Sequence, residues 1–184
     1  MSNYYVIKRN GGTQSVSFDK VQKRLNSLSE NLDVDTTLVS QKVISGIYPG
    51  ISTQELDVLA SEVSVAMSTS HPDYKILAGK IIVSNHQKQT NNKFSENMKL
   101  LKEATPSVLD PKFYDLVVKH KDFLDGIIDY ERDFLINFFG FKTLEKAYLL
   151  KSKKKIIERP QDMWLRVALA IFEDDLELVK KSYF

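Results

Sequence analysis

The apolar positions of this chain recur at two different periods. Near the start they fall in short runs: Tyr4, Tyr5, Val6 and Ile7, then Val16 and Phe18 alternating with Gln14, Ser15 and Ser17. These residue types suit a pleated, half-buried surface. Asn10-Gly11-Gly12 between the runs supplies the positive φ that a reversal needs, so the segment predicts a β-hairpin. From Phe18 the period becomes helical. Phe18, Val21, Leu25 and Leu28 share one face, and Asn31 to Asp35 break it. Thr36 and Thr37 are placed to cap a second helix carrying Val39, Val43 and Ile47, which Tyr48-Pro49-Gly50-Ile51 ends. Ser52-Thr53-Gln54-Glu55 has the form of a capping box. The third helix behind it carries the stripe Leu56, Leu59, Ala60, Val63, Ala66 and Met67. Pro72 suits the first position of a fourth helix with Tyr74, Leu77, Ala78, Ile81 and Ile82, which runs into the polar stretch Asn85 to Lys93.

The second half is more aromatic. Phe94 to Leu101 predicts a short helix and Thr105-Pro106-Ser107 a turn. Phe113, Leu116, Val117, His120, Phe123 and Leu124 read as one helical stripe, followed by the aromatics Tyr130, Phe134, Phe138, Phe139 and Phe141. LLKSKKKII, Leu149 to Ile157, reads as two short arms around a basic hairpin loop. Behind Glu158-Arg159-Pro160 a helix is expected to turn Met163, Trp164, Val167, Ala168 and Ile171 to one side. The last helix, Asp175 to Phe184, carries Leu176, Val179, Tyr183 and Phe184 up to the terminus. That face either folds back on its own domain or, the preferred expectation, belongs to the front piece of something longer. A sheet with four helices and then a largely helical region make the class α+β, mostly α, with domains at 1–92 and 93–184.

Composition narrows the function classes. The 184 residues can bury a real core. A net charge of +2 is too small to argue for nucleic acid, so any phosphate-binding surface must be local. The chain has no cysteine, which excludes disulfides and thiolate chemistry within it. His71, His86 and His120 lack metal-ligand spacing. No signal peptide or apolar run of membrane-spanning length is present in the sequence, and a cytoplasmic location is expected. No catalytic constellation is visible, and neither GxxxxGK[ST] nor GxGxxG occurs.

The best chemical candidate is the hairpin. Lys8, Arg9 and Lys20 lie around it, with Gln14, Ser15 and Ser17 as polar neighbours. Charge-assisted hydrogen bonds contribute about 1.5–3 kcal/mol each. Three or four of them approach the ~8 kcal/mol of a micromolar ligand, so a phosphorylated small molecule is within reach. Thr53 lies at a helix N-terminus, where unpaired N–H groups and the dipole favour an anion. Asp57 follows one turn later on the same side.

VIKRNGG…VSFDK, then Ile51-Ser52-Thr53-Gln54-Glu55-Leu56-Asp57 and His71-Pro72-Asp73-Tyr74, resemble the ATP-cone, the regulatory domain at the N-terminus of many ribonucleotide reductase large subunits. Asp129-Tyr130-Glu131-Arg132-Asp133-Phe134, Phe139-Gly140-Phe141-Lys142-Thr143-Leu144-Glu145 and Glu158-Arg159-Pro160-Gln161 resemble the helical region before the catalytic barrel of class I enzymes. The resemblance implies a four-helix bundle capped by a small sheet or hairpin, then a helical domain. It implies ATP or dATP as allosteric effector, with Mg2+, and no redox cofactor in this chain. Lys8, Arg9 and Lys20 would hold the triphosphate, with Thr53 and Lys88 helping. Gln14, Ser15, Val16 and Ser17 would lie along the base, Phe18 and Asp19 would also belong to the nucleotide site, and Asp57 would sit by the ribose. Asn10 and Gln14 depart from the family, which has aspartate and often an acidic residue there. The implied partners are the rest of a reductase large subunit, the radical-generating small subunit and further copies of the chain. Without the radical and redox cysteines, the chain is expected not to reduce ribonucleotides by itself. The alternatives are a free-standing nucleotide-sensing or inhibitory module, or a helical interaction domain with a degenerate cone.

Overall fold

A computed structural model describes residues 5–153 and 155–184, so Tyr4 of the expected strand and Lys154 of the basic loop lie outside the described residues. The fold is α+β and mostly helical. Contacts divide the chain into two compact units, one up to Asn85 together with Ile136–Phe139, the other His86–Leu135 with Gly140–Phe184. Among the described residues no helix is long and apolar enough to cross a membrane.

The first unit is built on a three-stranded sheet. β1 (Tyr5–Ile7) pairs antiparallel with β2 (Thr13–Ser15), Val6 opposite Gln14. The Gly11 N–H donates to the Lys8 carbonyl at 2.9 Å and Lys8 N–H to Gly12 at 2.7 Å. Gly11 has φ +82° and open space where a Cβ would stand, so the turn needs glycine for its dihedral alone. β3 (Ile51–Ser52), which the sequence pattern does not reveal, lies parallel to β1 on its other side, with Ile7 opposite Ser52. Val6, Ile47 and Ile51 bury beneath the sheet.

Helices α1 (Phe18–Asn26), α2 (Thr36–Ser45), α3 (Thr53–Ala66) and α4 (Asp73–Gln87) follow. The Val21, Leu25, Val39, Val43, Leu77 and Ile81 side chains meet in one core. Asp35, not Thr36 or Thr37, caps α2, accepting from Thr37 N–H at 2.9 Å and Leu38 N–H at 3.0 Å. Both bonds fall on the one oxygen Oδ1, the side-chain acceptor that an N-cap requires. The capping box of α3 is present, and its carboxyl, Glu55, is held below the usual range by hydrogen bonds from Ser52. The stripe expected on α3 is rotated. Asp57, Ala60, Ser61 and Ser64 are the residues buried along it, while Leu56, Leu59 and Val63 flank them half-buried. The serine hydroxyls donate to the helix's own carbonyls, Ser61 to Val58 and Ser64 to Ala60, and can therefore enter a close contact without losing a partner. α4 begins one residue after the position expected from Pro72, within the ordinary ambiguity of helix ends. At Gly79 a Cβ would lie 3.0 Å from the Ile136 carbonyl oxygen and 3.2 Å from Asn137 Cα, so the glycine admits a crossing backbone.

The second unit holds α5 (Phe94–Ala104), α6 (Pro111–Lys119), α7 (Lys121–Ile127), the body of α8 (Phe138–Ala147), the two-residue strands β4 (Lys151–Ser152) and β5 (Lys155–Ile156), α9 (Pro160–Phe172) and α10 (Leu176–Tyr183). β4 and β5 pair antiparallel, Lys151 opposite Ile156, so the pairing takes in basic residues rather than only the apolar arms at Leu149-Leu150 and Ile156-Ile157. The single stripe over 113–124 is two helices, because His120 leaves the helical conformation at φ −111° ψ 20°. Its imidazole is drawn to Asp174 at 2.6 Å. A break of one residue hardly disturbs the apolar period, so the pattern conceals it.

On α9 the expected face is only partly right. Met163 and Ala168 are buried together with Leu165 and Leu169, but Trp164, Val167 and Ile171 are 48%, 42% and 63% exposed. The helix is apolar nearly all round, and polar groups decide its orientation. Asp162, fully buried, accepts from Tyr130 Oη at 2.6 Å, Asn97 Nδ2 at 2.8 Å and Arg159 N–H at 2.7 Å. Asp133, also buried, accepts from Gln161 N–H and Gln87 Nε2. α10 folds back on this unit: Val179 and Tyr183 are buried, and the Tyr183 hydroxyl joins Gln161 at 3.0 Å. The first of the two readings of that helix therefore describes Val179 and Tyr183, while Phe184 stays exposed.

Gly79→Ala tests the close approach on α4. In an open helix it would stabilise by ~1 kcal/mol. Here the new methyl meets backbone, and denaturant unfolding is expected to show a loss of about 1–3 kcal/mol. Burial raises the Asp162 carboxyl from 3.8 to about 7 and that of Asp133 to about 6, against the donors that pull each down. A carboxyl raised in the folded state binds a proton there that the unfolded chain has released. Its stabilising contribution is complete below about 4 and lost as pH rises through 6 to 7. Urea unfolding across pH 4–7 is expected to show that decline, with a shallower slope in Asp162→Asn.

Candidate nucleotide-binding site

The strand β3 sets the geometry of the candidate site. Because Ile7 and Ser52 are register partners, the chain leaving β1 as Lys8-Arg9 emerges beside the residue that caps α3. Thr53 is the first residue of that helix, half-buried, and Asp57 sits in its second turn. Arg9 reaches across: its Nη2 lies 3.5 Å from Asp57 Oδ2 and donates to Asn85 Oδ1 at 2.6 Å. Asn85 in turn donates to the Gln54 carbonyl at 3.2 Å. The hairpin loop, the start of α3 and the last turns of α4 are thus joined through one guanidinium.

A second guanidinium completes the cluster. Arg24 on α1 places Nε 3.3 Å from Asp57 Oδ1 and Nη2 3.4 Å from Oδ2, and Nη2 also donates to Ser84 Oγ at 3.0 Å. Asp57 is 8% exposed. Sequence reasoning missed Arg24, Ser84 and Asn85. For Arg24 a signal existed: it lies four residues after Lys20, on the same column of α1 and beside the buried pair Val21 and Leu25.

The structure brings Arg9 and Asp57 into contact and sets Thr53 at the adjacent helix start. Lys8 is exposed at the turn, and Lys20 is exposed in the first turn of α1. Gln14 is half-buried opposite Val6 on β2, and Ser15 is exposed. Val16, Ser17 and Phe18 are half-buried across the passage from β2 into α1, where Asp19 is exposed. Lys88 belongs to the second unit, just past the last turn of α4.

His86 is buried, donates to the Glu158 carbonyl at 2.8 Å and packs edge-on against Phe141; burial lowers its basicity. In the second unit a groove of about 480 Å3 is lined by acidic, basic and apolar side chains, among them Asp110, Lys112, Phe113 and Glu173. Among the described residues no cluster of three acidic or histidine side chains can hold a metal.

Comparison with known families agrees with this layout. The ATP cone domain matches residues 4–89, and the ribonucleotide reductase all-alpha domain matches residues 134–184. The chain thus carries an ATP cone domain and, further along, a ribonucleotide reductase all-alpha domain. Its relatives include the ribonucleoside-diphosphate reductase large chain of Schizosaccharomyces pombe, 48% identical over 190 aligned positions that cover 97% of this chain and 23% of that one. The large subunit of Dictyostelium discoideum is 47% identical over 99% of this chain and 22% of its own length. That of Vaccinia virus is 46% identical over 97% and 24%. The chain spans about a quarter of the length of the curated relatives it matches.

The ATP cone's cluster should be energetically coupled. Hydrogen bonds to charged groups contribute roughly 1.5–3 kcal/mol. Asp57→Ala is therefore expected to cost about 1–3 kcal/mol in urea unfolding, discounted for the partial exposure of both arginines. A double-mutant cycle with Arg24→Ala should return a coupling of at least about 0.5 kcal/mol; independent effects would mean that the contact contributes nothing.

Proposed function

We propose that this chain is the allosteric, effector-binding part of a ribonucleoside-diphosphate reductase large subunit, with a nucleotide-binding regulatory domain at 1–92 and a helical region at 93–184. It binds ATP as activator or dATP as inhibitor, accompanied by Mg2+, at the hairpin end of the cone. The observation that carries this reading is the pairing of β1 with β3, which sets Lys8 and Arg9 beside the capped N-terminus of α3 with Asp57 one turn in. Backbone N–H groups and the helix dipole favour phosphate there, and Lys8, Arg9 and Lys20 add positive charge.

In this reading Lys8, Arg9 and Lys20 hold the triphosphate, with Thr53 at the helix start and Lys88 contributing. Gln14, Ser15, Val16 and Ser17, with Phe18 and Asp19 behind them, line the base, and Asp57 faces the ribose. Arg9 already bonds Asp57 and Asn85, so it meets a phosphate only by exchanging partners. Such an exchange loosens the tie between the loop and α4 and gives the effector a mechanical consequence. One ribose hydroxyl separates the two effectors, and one neutral hydrogen bond nets ~1 kcal/mol, about fivefold. The ligands must therefore act by stabilising different arrangements of the cone. Reduction itself would be carried out with the remainder of a large subunit and a radical-generating small subunit, in the cytoplasm, and subunit assembly is the quantity the effector controls.

Titration calorimetry of the chain with Mg-ATP and with Mg-dATP tests the reading. Binding in the micromolar range is expected, weakened roughly tenfold or more by Lys8→Ala, since one charge-assisted bond is worth 1.5–3 kcal/mol. No heat with either nucleotide would end the proposal. Binding left unchanged by both Lys8→Ala and Asp57→Asn would place the site elsewhere.

A further inference from the structure

We infer that Arg24 is a positioning residue for the ribose side of this site, and that by fixing the plane of the Asp57 carboxylate it sets the chain's discrimination between ATP and dATP. The inference rests on the nucleotide reading above and goes beyond it in naming a residue and a property.

The geometry is that of a fork on a carboxylate. Nε of Arg24 faces one oxygen of Asp57 at 3.3 Å and Nη2 faces the other at 3.4 Å. Two donors on two oxygens restrict rotation about the terminal bond of the aspartate, which one point charge does not. Arg24 is itself held from behind, because the same Nη2 donates to Ser84 Oγ at 3.0 Å on α4. The aspartate stands on α3, the fork on α1 and the anchor on α4, so three helices define one carboxylate. Arg9 contributes from the loop at 3.5 Å, a longer and single contact. Burial supports the same assignment: Asp57 is 8% exposed, and the side chain of Arg24 is 23% exposed. An acceptor at the floor of a site is useful in telling a hydroxyl from a hydrogen only if its oxygen stays where the hydroxyl arrives. A carboxylate free to turn would meet either sugar equally well.

The test compares the affinities of Mg-ATP and Mg-dATP for the full chain by calorimetry, read as their ratio. A loss of folding or of general phosphate attraction changes both affinities together and leaves the ratio alone. Arg24→Lys keeps the charge and loses the fork. It is expected to move the ratio at least threefold towards one, within the roughly fivefold that one hydrogen bond supplies. Ser84→Ala, which removes only the anchor behind Arg24, should move it in the same direction by less. Lys23→Ala, an exposed cation next along α1, should leave it unchanged. In an Asp57→Asn background, Arg24→Lys should add nothing further. If the parent chain binds neither nucleotide, the functional reading itself fails. A parent that binds both but has a ratio of one, or a ratio that Arg24→Lys and Ser84→Ala both leave untouched, overturns the role given to Arg24 and spares that reading. A ratio shift persisting in the Asp57→Asn background would likewise overturn it, since Arg24 would then act without the carboxylate.

Discussion

Two residue pairs, Val6 with Ile51 and Ile7 with Ser52, hold the working end of the first unit together. They are few, but they fix two things at once. They bury Val6 and Ile51 with Ile47 under the sheet, and they bring the exit of β1 to the capped start of α3. A parallel pairing needs a long connection. Here that connection is β2, α1 and α2, so forming the small sheet commits the helices that pack beside it. The polar groups of the candidate site are consequences of that pairing. Arg9 follows two residues after Ile7, and Asp57 five residues after Ser52.

Asp57 is the electrostatic centre of that end. A buried carboxylate without partners would be costly, and one with two guanidinium groups is satisfied. The arrangement ties α1, α3, α4 and the hairpin loop to a single side chain, so a change at Asp57 or Arg9 is felt by four elements. That property fits the effector-binding role proposed above. A site whose cations were all directed at solvent could bind phosphate as well, but occupancy would alter nothing around it.

In the second unit a different polar centre has the organising part. Asp162 and Asp133 collect Tyr130, Asn97, Arg159, Gln161 and Gln87, and Arg159 also stacks on the Tyr130 ring at 4.5 Å. These bonds are directional, while apolar contact is not. They orient α9, turning Leu165 and Leu169 inward and leaving Trp164 and Ile171 outside.

Much of this was legible in the residues. The hairpin of β1 and β2, the capping box at Ser52 and Glu55 and the four helices of the first unit follow from local pattern, because each depends on residues within a turn or two of one another. Local chemistry alone determined where the chain turns and where helices start. The tertiary structure decided the pairing of β3 with β1, the rotated face of α3, the break at His120, the outward face of α9 and the place of Arg24. In each case two or more helical faces or strand edges were equally apolar or equally polar in sequence. The choice between them fell to a partner far along the chain: β1 for β3, Asp174 for His120, Asp57 for Arg24. Periodicity reports that a face exists, and only packing and directional hydrogen bonds across long separations select which face is used.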